Sequence, residues 1–322
     1  MPEIPHWLDS QLEHYAQLRR QSRMPHALLV TGLPGVGKSA FADRLAALLV
    51  CEQAAGSDAC GHCSACHLFA AGTHPDLFRV SPEEDSSVIK IDQVRRLGEG
   101  LALSHPGAGY KVAVLEPADT LNINAANSLF KTQEEPADKT VLLLLSAQPG
   151  RLPATIRTRC RQLGIGAPPE ADALKWLQGQ YKGSQPEVLL RLAHGAPLRA
   201  LELARDNALD ERRERFEALL GLREGRTDVI ALAQAWAKDE DLKGLRWMRG
   251  WLMDLLRLRL TGSQDTVHSI DLVEQLVPLA QRLDSRVMFD QLDRLNRLLR
   301  LENTSLNRQL MTEDVLLAWA GS

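Results

Sequence analysis

The sequence, 322 residues long, has no apolar run near the roughly 18–20 residues that span a bilayer. Its longest, Val141-Leu142-Leu143-Leu144-Leu145, has the length of a buried strand. The opening MPEIPHWLDSQLEHY lacks the basic region and apolar stretch of a secretory leader. We therefore expect a cytoplasmic chain with no membrane partner. Aromatic residues are scarce, at 5%, and the net charge is only −3, which excludes a protein that coats polyanions. A local basic patch, or DNA contact shared with partners, stays open. Internal repeats and low-complexity tracts are missing too. With 44% hydrophobic and 25% charged residues, the composition is that of a globular chain, long enough for two or three domains. Cysteine is sparse, but four of the five lie between positions 51 and 66, which favours a metal site over disulfides.

The first half alternates short apolar runs with amphipathic helical patterns. Strands are expected at 27–30, 77–80, 111–115 and 140–145, with helices at 38–50, 92–103 and 125–134. That alternation predicts a parallel sheet covered on both faces. After Arg161 the pattern changes, and Gly164-Ile165-Gly166-Ala167-Pro168-Pro169 reads as a linker. Beyond it only helices are expected, three short ones over 170–206 and six longer ones from 208 onward, with Leu292, Leu295, Leu298 and Leu299 at helical spacing. The expected division is an α/β domain over 1–165, a small helical domain over 166–207 and a larger helical domain over 208–322. Trp236, Trp247 and Trp251 fall in helical patterns and read as core or subunit-contact residues.

Gly32-Leu33-Pro34-Gly35-Val36-Gly37-Lys38-Ser39 matches G-x-x-x-x-G-K-[ST] in full. In such a loop Gly32, Gly35 and Gly37 let successive backbone N–H groups face a phosphate, Lys38 reaches the outer phosphates and Ser39 ligates Mg²⁺. A strand before and a helix after it strengthen the match over an incidental Gly-Pro turn. A loop that keeps this shape without turnover remains an alternative. Hydrolysis also needs acidic groups at a neighbouring strand end. After Lys111-Val112-Ala113-Val114-Leu115 the chain reads Glu116-Pro117-Ala118-Asp119. Glu116 suits the Mg²⁺ role, whereas Pro117 occupies the place of a catalytic glutamate and polarises nothing. Asp119 reads equally as a turn or capping residue.

Cys51, Cys60, Cys63 and Cys66 have the spacing C-x8-C-x2-C-x2-C, and four thiolates so spaced wrap a tetrahedral ion. Structural Zn²⁺ is the expectation, with an iron–sulfur cluster or free buried thiols as alternatives and His62 and His67 as spare ligands.

On these pieces the sequence resembles the clamp-loader subunits of bacterial DNA polymerase III, members of the AAA+ family. The residues that carry the resemblance are His26 to Ser39, the four cysteines, Gly72-Thr73-His74-Pro75-Asp76, Ala125 to Pro136, and Thr158-Arg159-Cys160. It covers the first 165 residues closely and the remainder by architecture. Two branches share these motifs, the ATP-hydrolysing motor (gamma/tau) and delta prime. The motor branch has Asp-Glu where Glu116-Pro117 stands, and a sensor arginine where Leu198 stands, with Arg199 one residue late. No long tail follows the third domain. These departures align the sequence with delta prime.

The resemblance implies an AAA+ domain with a zinc module, a helical lid over 166–207 and a collar over 208–322. It implies ATP or ADP with Mg²⁺ at the P-loop, and Ser146 at the sensor position near the γ-phosphate. Arg159, with Thr158 in the family's serine position, is implied to reach ATP on an adjacent motor subunit. Arg157 and Arg161 lie close by, and each of the three also reads as a solvated or salt-bridged surface arginine. Implied partners are the gamma/tau and delta subunits, the sliding clamp and primed DNA. The chain is then an accessory subunit of a DNA-directed DNA polymerase (nucleotidyltransferase) holoenzyme, and the word enzyme fits the assembly better than the chain. Two rival readings are an active motor ATPase and a zinc-dependent nucleic-acid-binding module with a vestigial P-loop.

Overall fold

The computed structural model describes residues 5–54, 56–84, 86–102, 109–134 (backbone alone at 130–134), 139–239, 242–301 and 307–321. The side chains of 130–134 and all of residues 135 and 136 in the Ala125–Pro136 motif lie outside this set. The chain divides into two compact units, Met1–Trp176 and Leu177–Ser322.

The first unit runs α1 (Asp9–Arg20), β1 (Ala27–Thr31), α2 (Lys38–Val50), α3 (Ser64–Ala70), β2 (Leu77–Val80), α4 (Ile91–Ala102), β3 (Lys111–Leu115), α5 (Ile123–Glu134), β4 (Thr140–Ser146), α6 (Ala154–Arg159), β5 (Arg161–Gly164) and α7 (Glu170–Gln180), the last crossing the division. Its five strands are parallel, in the order β2-β3-β4-β1-β5. The inner strands β3 and β4 are buried at every position, so both faces demand apolar side chains, and their sequences read as unbroken apolar runs. Leu97 and Leu101 of α4 and Ala125, Ala126 and Leu129 of α5 join β3 and β4 in one core.

Not every element matches expectation. No strand was expected from Arg161 on, yet β5 pairs with β1, Leu28 opposite Arg161 through Thr31 opposite Gly164. The strand is an edge, three of its four residues are exposed, and its backbone ladder does not depend on apolar side chains. Helices α1, α3 and α6 were likewise not anticipated.

The second unit contains α8 (Pro186–Leu192), α9 (Pro197–Arg205), α10 (Ala208–Arg223), α11 (Val229–Ala237), α12 (Lys243–Thr261), α13 (Val273–Arg282), α14 (Ser285–Arg300) and α15 (Arg308–Ala320), with no strand among the described residues. Asp228, Asp284 and Asn307 cap α11, α14 and α15 by accepting backbone N–H bonds in the first turn. Trp236, Trp251, Leu295 and Trp319 anchor a single core, while Trp247 is half-buried at its margin. Buried Arg212 forms a two-pronged ion pair with Asp271, at 2.8 and 3.0 Å, and donates to Ser269 Oγ.

Candidate functional site

The sheet register brings the P-loop to its neighbours. Thr31, the last residue of β1, lies opposite Ser146, the last of β4, and Leu115 of β3 lies opposite Leu144. The loop, Ser146 and Glu116 therefore all meet at the carboxyl ends of parallel strands, where α/β sheets place their ligands. Gly32 donates its N–H to the Ser146 carbonyl at 3.3 Å. On its other side the Ile165 carbonyl oxygen would stand 2.2 Å from any Cβ at position 32, so this close backbone approach demands glycine. Gly37, at φ 106°, turns the chain into α2.

Lys38 is buried and donates from Nζ to the carbonyls of Gly32 and Leu33, both at 2.9 Å. Burial holds its ammonium below the ordinary lysine range, while the charges of Glu116 and Asp119 act the other way. Ser39 Oγ donates to Glu116 Oε1 at 2.5 Å, which joins the two expected Mg²⁺ residues although they stand 77 positions apart. Asp119 accepts the Ala147 N–H at 3.1 Å, and the buried Ser146 hydroxyl accepts from Gln148 N–H at 3.1 Å. Asp119 thus fastens the turn after β3 to the end of β4. Pro117 follows Glu116 with no polar side chain to offer. The site has donors for phosphate and an oxygen pair for a hard cation, while position 117, next to Glu116, offers no carboxylate to orient water.

The N-terminal segment, which carries no nucleotide-binding motif, also belongs to this neighbourhood. Trp7 donates Nε1–H to the Val36 carbonyl at 3.0 Å, and buried Leu8 comes within 3.0 Å of where a Cβ at Gly37 would sit. No motif marks this packing, because it arises only when the chain folds back over the loop.

The four cysteines gather as their spacing predicts. Their sulfurs all lie within 4.8 Å of one another, with Cys51 to Cys63 at 3.9 Å and Cys60 to Cys66 at 3.8 Å. A tetrahedron with metal–sulfur bonds of about 2.3 Å has sulfur–sulfur edges of about 3.8 Å, so the set fits a four-coordinate ion. Backbone N–H groups point at three of the sulfurs: Cys60 to Cys51, Cys63 to Cys60, and Cys66 to Cys63. Although burial pushes the Cys63 thiol up, N–H bonds from Cys66 and Glu52 and its neighbouring thiols bring it down to about 6. Burial pushes the Cys66 thiol up to about 12. His62 and His67 are exposed and stand outside the cluster. Arg44 of α2 braces the cysteine loop, donating to Asp58 at 2.5 Å and to Asp9 of α1 at 2.9 Å.

The three arginines near β5 differ in setting. Arg161 contacts the Tyr15 phenol, whose pKa burial raises and this arginine lowers. Arg157 is half-buried. Arg159 is exposed as the last residue of α6, while Thr158 closes its own turn by donating to the Thr155 carbonyl at 3.1 Å.

A five-stranded parallel sheet with a complete P-loop after β1, followed by a helical unit, is an AAA+ architecture. A gamma subunit-related DNA polymerase III protein of Thermotoga maritima has this fold, at a TM-score of 0.52 and 19% identity over 97% of this chain and 99% of that one. Family models described as DNA polymerase III, delta subunit, and as its C-terminal part match residues 8–168 and 206–321. DNA polymerase III subunit delta' of Pseudomonas aeruginosa is 36% identical over 95% of both chains. The subunit delta' of Escherichia coli is 34% identical over 97% of this chain and 93% of its own. The chain belongs to the DNA polymerase III delta' family. Among its described residues no helix is long and apolar enough to cross a membrane.

Proposed function

We propose that this chain is the delta prime member of a clamp loader, the ATP-driven assembly that opens a ring-shaped sliding clamp and sets it on primed DNA. Its partners are then the gamma/tau motor and delta subunits. In this reading residues 1–165 form the nucleotide-binding domain, 166–207 a lid and 208–322 the collar that joins the subunits. Zn²⁺ held by Cys51, Cys60, Cys63 and Cys66 is structural, since four thiolates leave no open position for a substrate.

The chain binds ATP or ADP with Mg²⁺ and turns it over poorly. The observation that carries this is the acidic turn after β3. Glu116 is hydrogen-bonded to Ser39, Pro117 has nothing to offer water, and the Asp119 carboxylate is engaged by the Ala147 N–H. Nucleotide must also draw Lys38 away from the carbonyls of Gly32 and Leu33. The Ser39–Glu116 pair favours retained Mg²⁺ binding.

The chain's contribution to turnover is then made next door. Arg159, exposed at the end of α6, is offered to ATP on the adjacent motor subunit, where a guanidinium stabilises the charge of phosphoryl transfer. Arginine fingers of this kind contribute about 10³–10⁵ in rate at their site. The test is steady-state ATP hydrolysis by the reconstituted loader with clamp and primed DNA, comparing wild type with Arg159→Ala in this chain alone. A large loss with the assembly intact is expected. Unchanged turnover removes Arg159 from the mechanism and returns the active-motor reading to the front.

A further inference from the structure

A second site stands in the helical unit, and its argument does not depend on the clamp-loader reading. Arg246, Arg249, Met253 and Arg257 follow one another along α12 at intervals of three, four and four, so they form one stripe. They line a cavity of about 390 Å³, within the usual range of small-ligand sites. His194 and Arg199, from the turn before α9 and its first turn, line it too. Arg212 and Ser269 also line it.

Among the described residues five arginines line this cavity beside one carboxylate, Asp254. That carboxylate is already engaged, accepting from Arg257 at 2.7 Å, His268 N–H at 3.1 Å and Ser269 N–H at 2.9 Å. Arg212 is neutralised by Asp271, and Arg199 pairs with exposed Glu202 at 2.9 Å. Arg249 has no ion-pair partner among the described residues. Burial, and then the charges of His268, Arg257 and Arg249, hold His194 below the usual histidine range, while Asp254 acts the other way. His268 Nδ1 lies 3.1 Å from the Arg191 carbonyl, which only accepts, so this nitrogen carries the proton and the ring is fixed in place.

Cations gathered around a cavity repel one another unless an anion joins them. A carboxylate is satisfied by a single guanidinium fork. A terminal phosphate presents three oxygens and about −1.5 to −2 charges, and a strand presents successive phosphodiesters with two free oxygens and one charge each, so either can engage more than one fork. We propose that the cavity lined by α12 and α9 binds a phosphate group, on a free nucleotide or on a nucleic-acid strand, with Arg249 of α12 and Arg199 of α9 as ligands. Leu192, Leu203 and Met253 give the cavity an apolar margin beside the charged stripe.

The test uses the full chain with Lys38→Ala throughout, so that the P-loop does not contribute. Inorganic phosphate, AMP and a short single-stranded oligothymidylate are titrated by calorimetry at matched ionic strength, with oligoglutamate as a carboxylate control. Arg249→Glu and Arg199→Glu change exposed side chains, and circular dichroism checks that both fold. Each is expected to weaken phosphate binding by about tenfold or more, the loss of one charge-assisted contact. Tightest binding of oligothymidylate identifies a strand phosphodiester, and tightest binding of AMP or phosphate identifies a free ligand; either supports the proposal. Affinity untouched by both charge reversals, no binding of any phosphate probe, or tighter binding of oligoglutamate overturns it.

Discussion

The cysteine loop and the phosphate loop are both short motifs, yet the structure treats them differently. Four sulfurs already stand near the corners of a tetrahedron, with edges of 3.8 and 3.9 Å across the two measured pairs. The P-loop, by contrast, is turned in on itself, with the Lys38 ammonium on its own loop carbonyls and Ser39 on Glu116. The difference lies in where each site's parts come from. The cysteine site draws all its ligands from residues 51–66, so local turns suffice to close it. The nucleotide site needs three strand ends, and its lysine satisfies itself with whatever acceptor is nearest. A closed set of ligands binds with little rearrangement, whereas the phosphate site must first give up internal hydrogen bonds.

The largest effect that sharpens this contrast is removal of metal. Structural zinc contributes on the order of 10–16 kcal/mol of apparent binding free energy in small zinc modules near neutral pH, much of it folding free energy. Elemental analysis is expected to find one zinc per wild-type chain and none in Cys63→Ser. Hydrogen exchange in that variant should rise across residues 51–66 while the buried strands β3 and β4 stay protected. Iron in place of zinc, or full protection without metal, breaks the comparison.

How much of this was legible in the sequence follows the same division between local and assembled features. Strands β1, β3 and β4 were readable because burial on both faces requires apolar runs. The edge strand β5 was not, since Arg161, Gln162 and Gly164 are exposed and only their backbones pair. Glu116 was readable as a strand-end acid, and its contact with Ser39 follows from the parallel order. The engagement of Asp119 by the Ala147 N–H was not readable, because it joins two turns that no spacing relates. Trp7 and Leu8 escaped for the same reason.

A middle-sized effect concerns the frame of the phosphate loop. Gly32→Ala places a methyl where the Ile165 carbonyl oxygen stands, 2.2 Å away, and the neighbour is backbone rather than a flexible side chain. Overpacking of this kind costs about 1–3 kcal/mol. Urea unfolding should show that loss, together with weakened ATP binding, while zinc content stays at the wild-type level. A Gly32→Ala chain that lost zinc as well would mean that the two loops are one cooperative site.

The smallest effect tests the brace between them. Arg44 lies on α2, the helix that the P-loop opens, and its guanidinium holds Asp58 in the cysteine loop. The hydrogen bond from Arg44 holds the Asp58 carboxyl below the usual carboxylate range. A depressed carboxylate contributes stability at pH values above its unfolded pKa of about 3.9, and that contribution fades as pH falls through the lower folded value. The Asp58 side chain is 55% exposed, so solvent screening limits the pair to below about 1 kcal/mol. Asp58→Asn should therefore lower the urea midpoint slightly near pH 7, and the gap from wild type should narrow as pH falls below the unfolded value of about 3.9. A gap that persists in acid would show that packing, not charge, ties the cysteine loop to the helix behind the phosphate site.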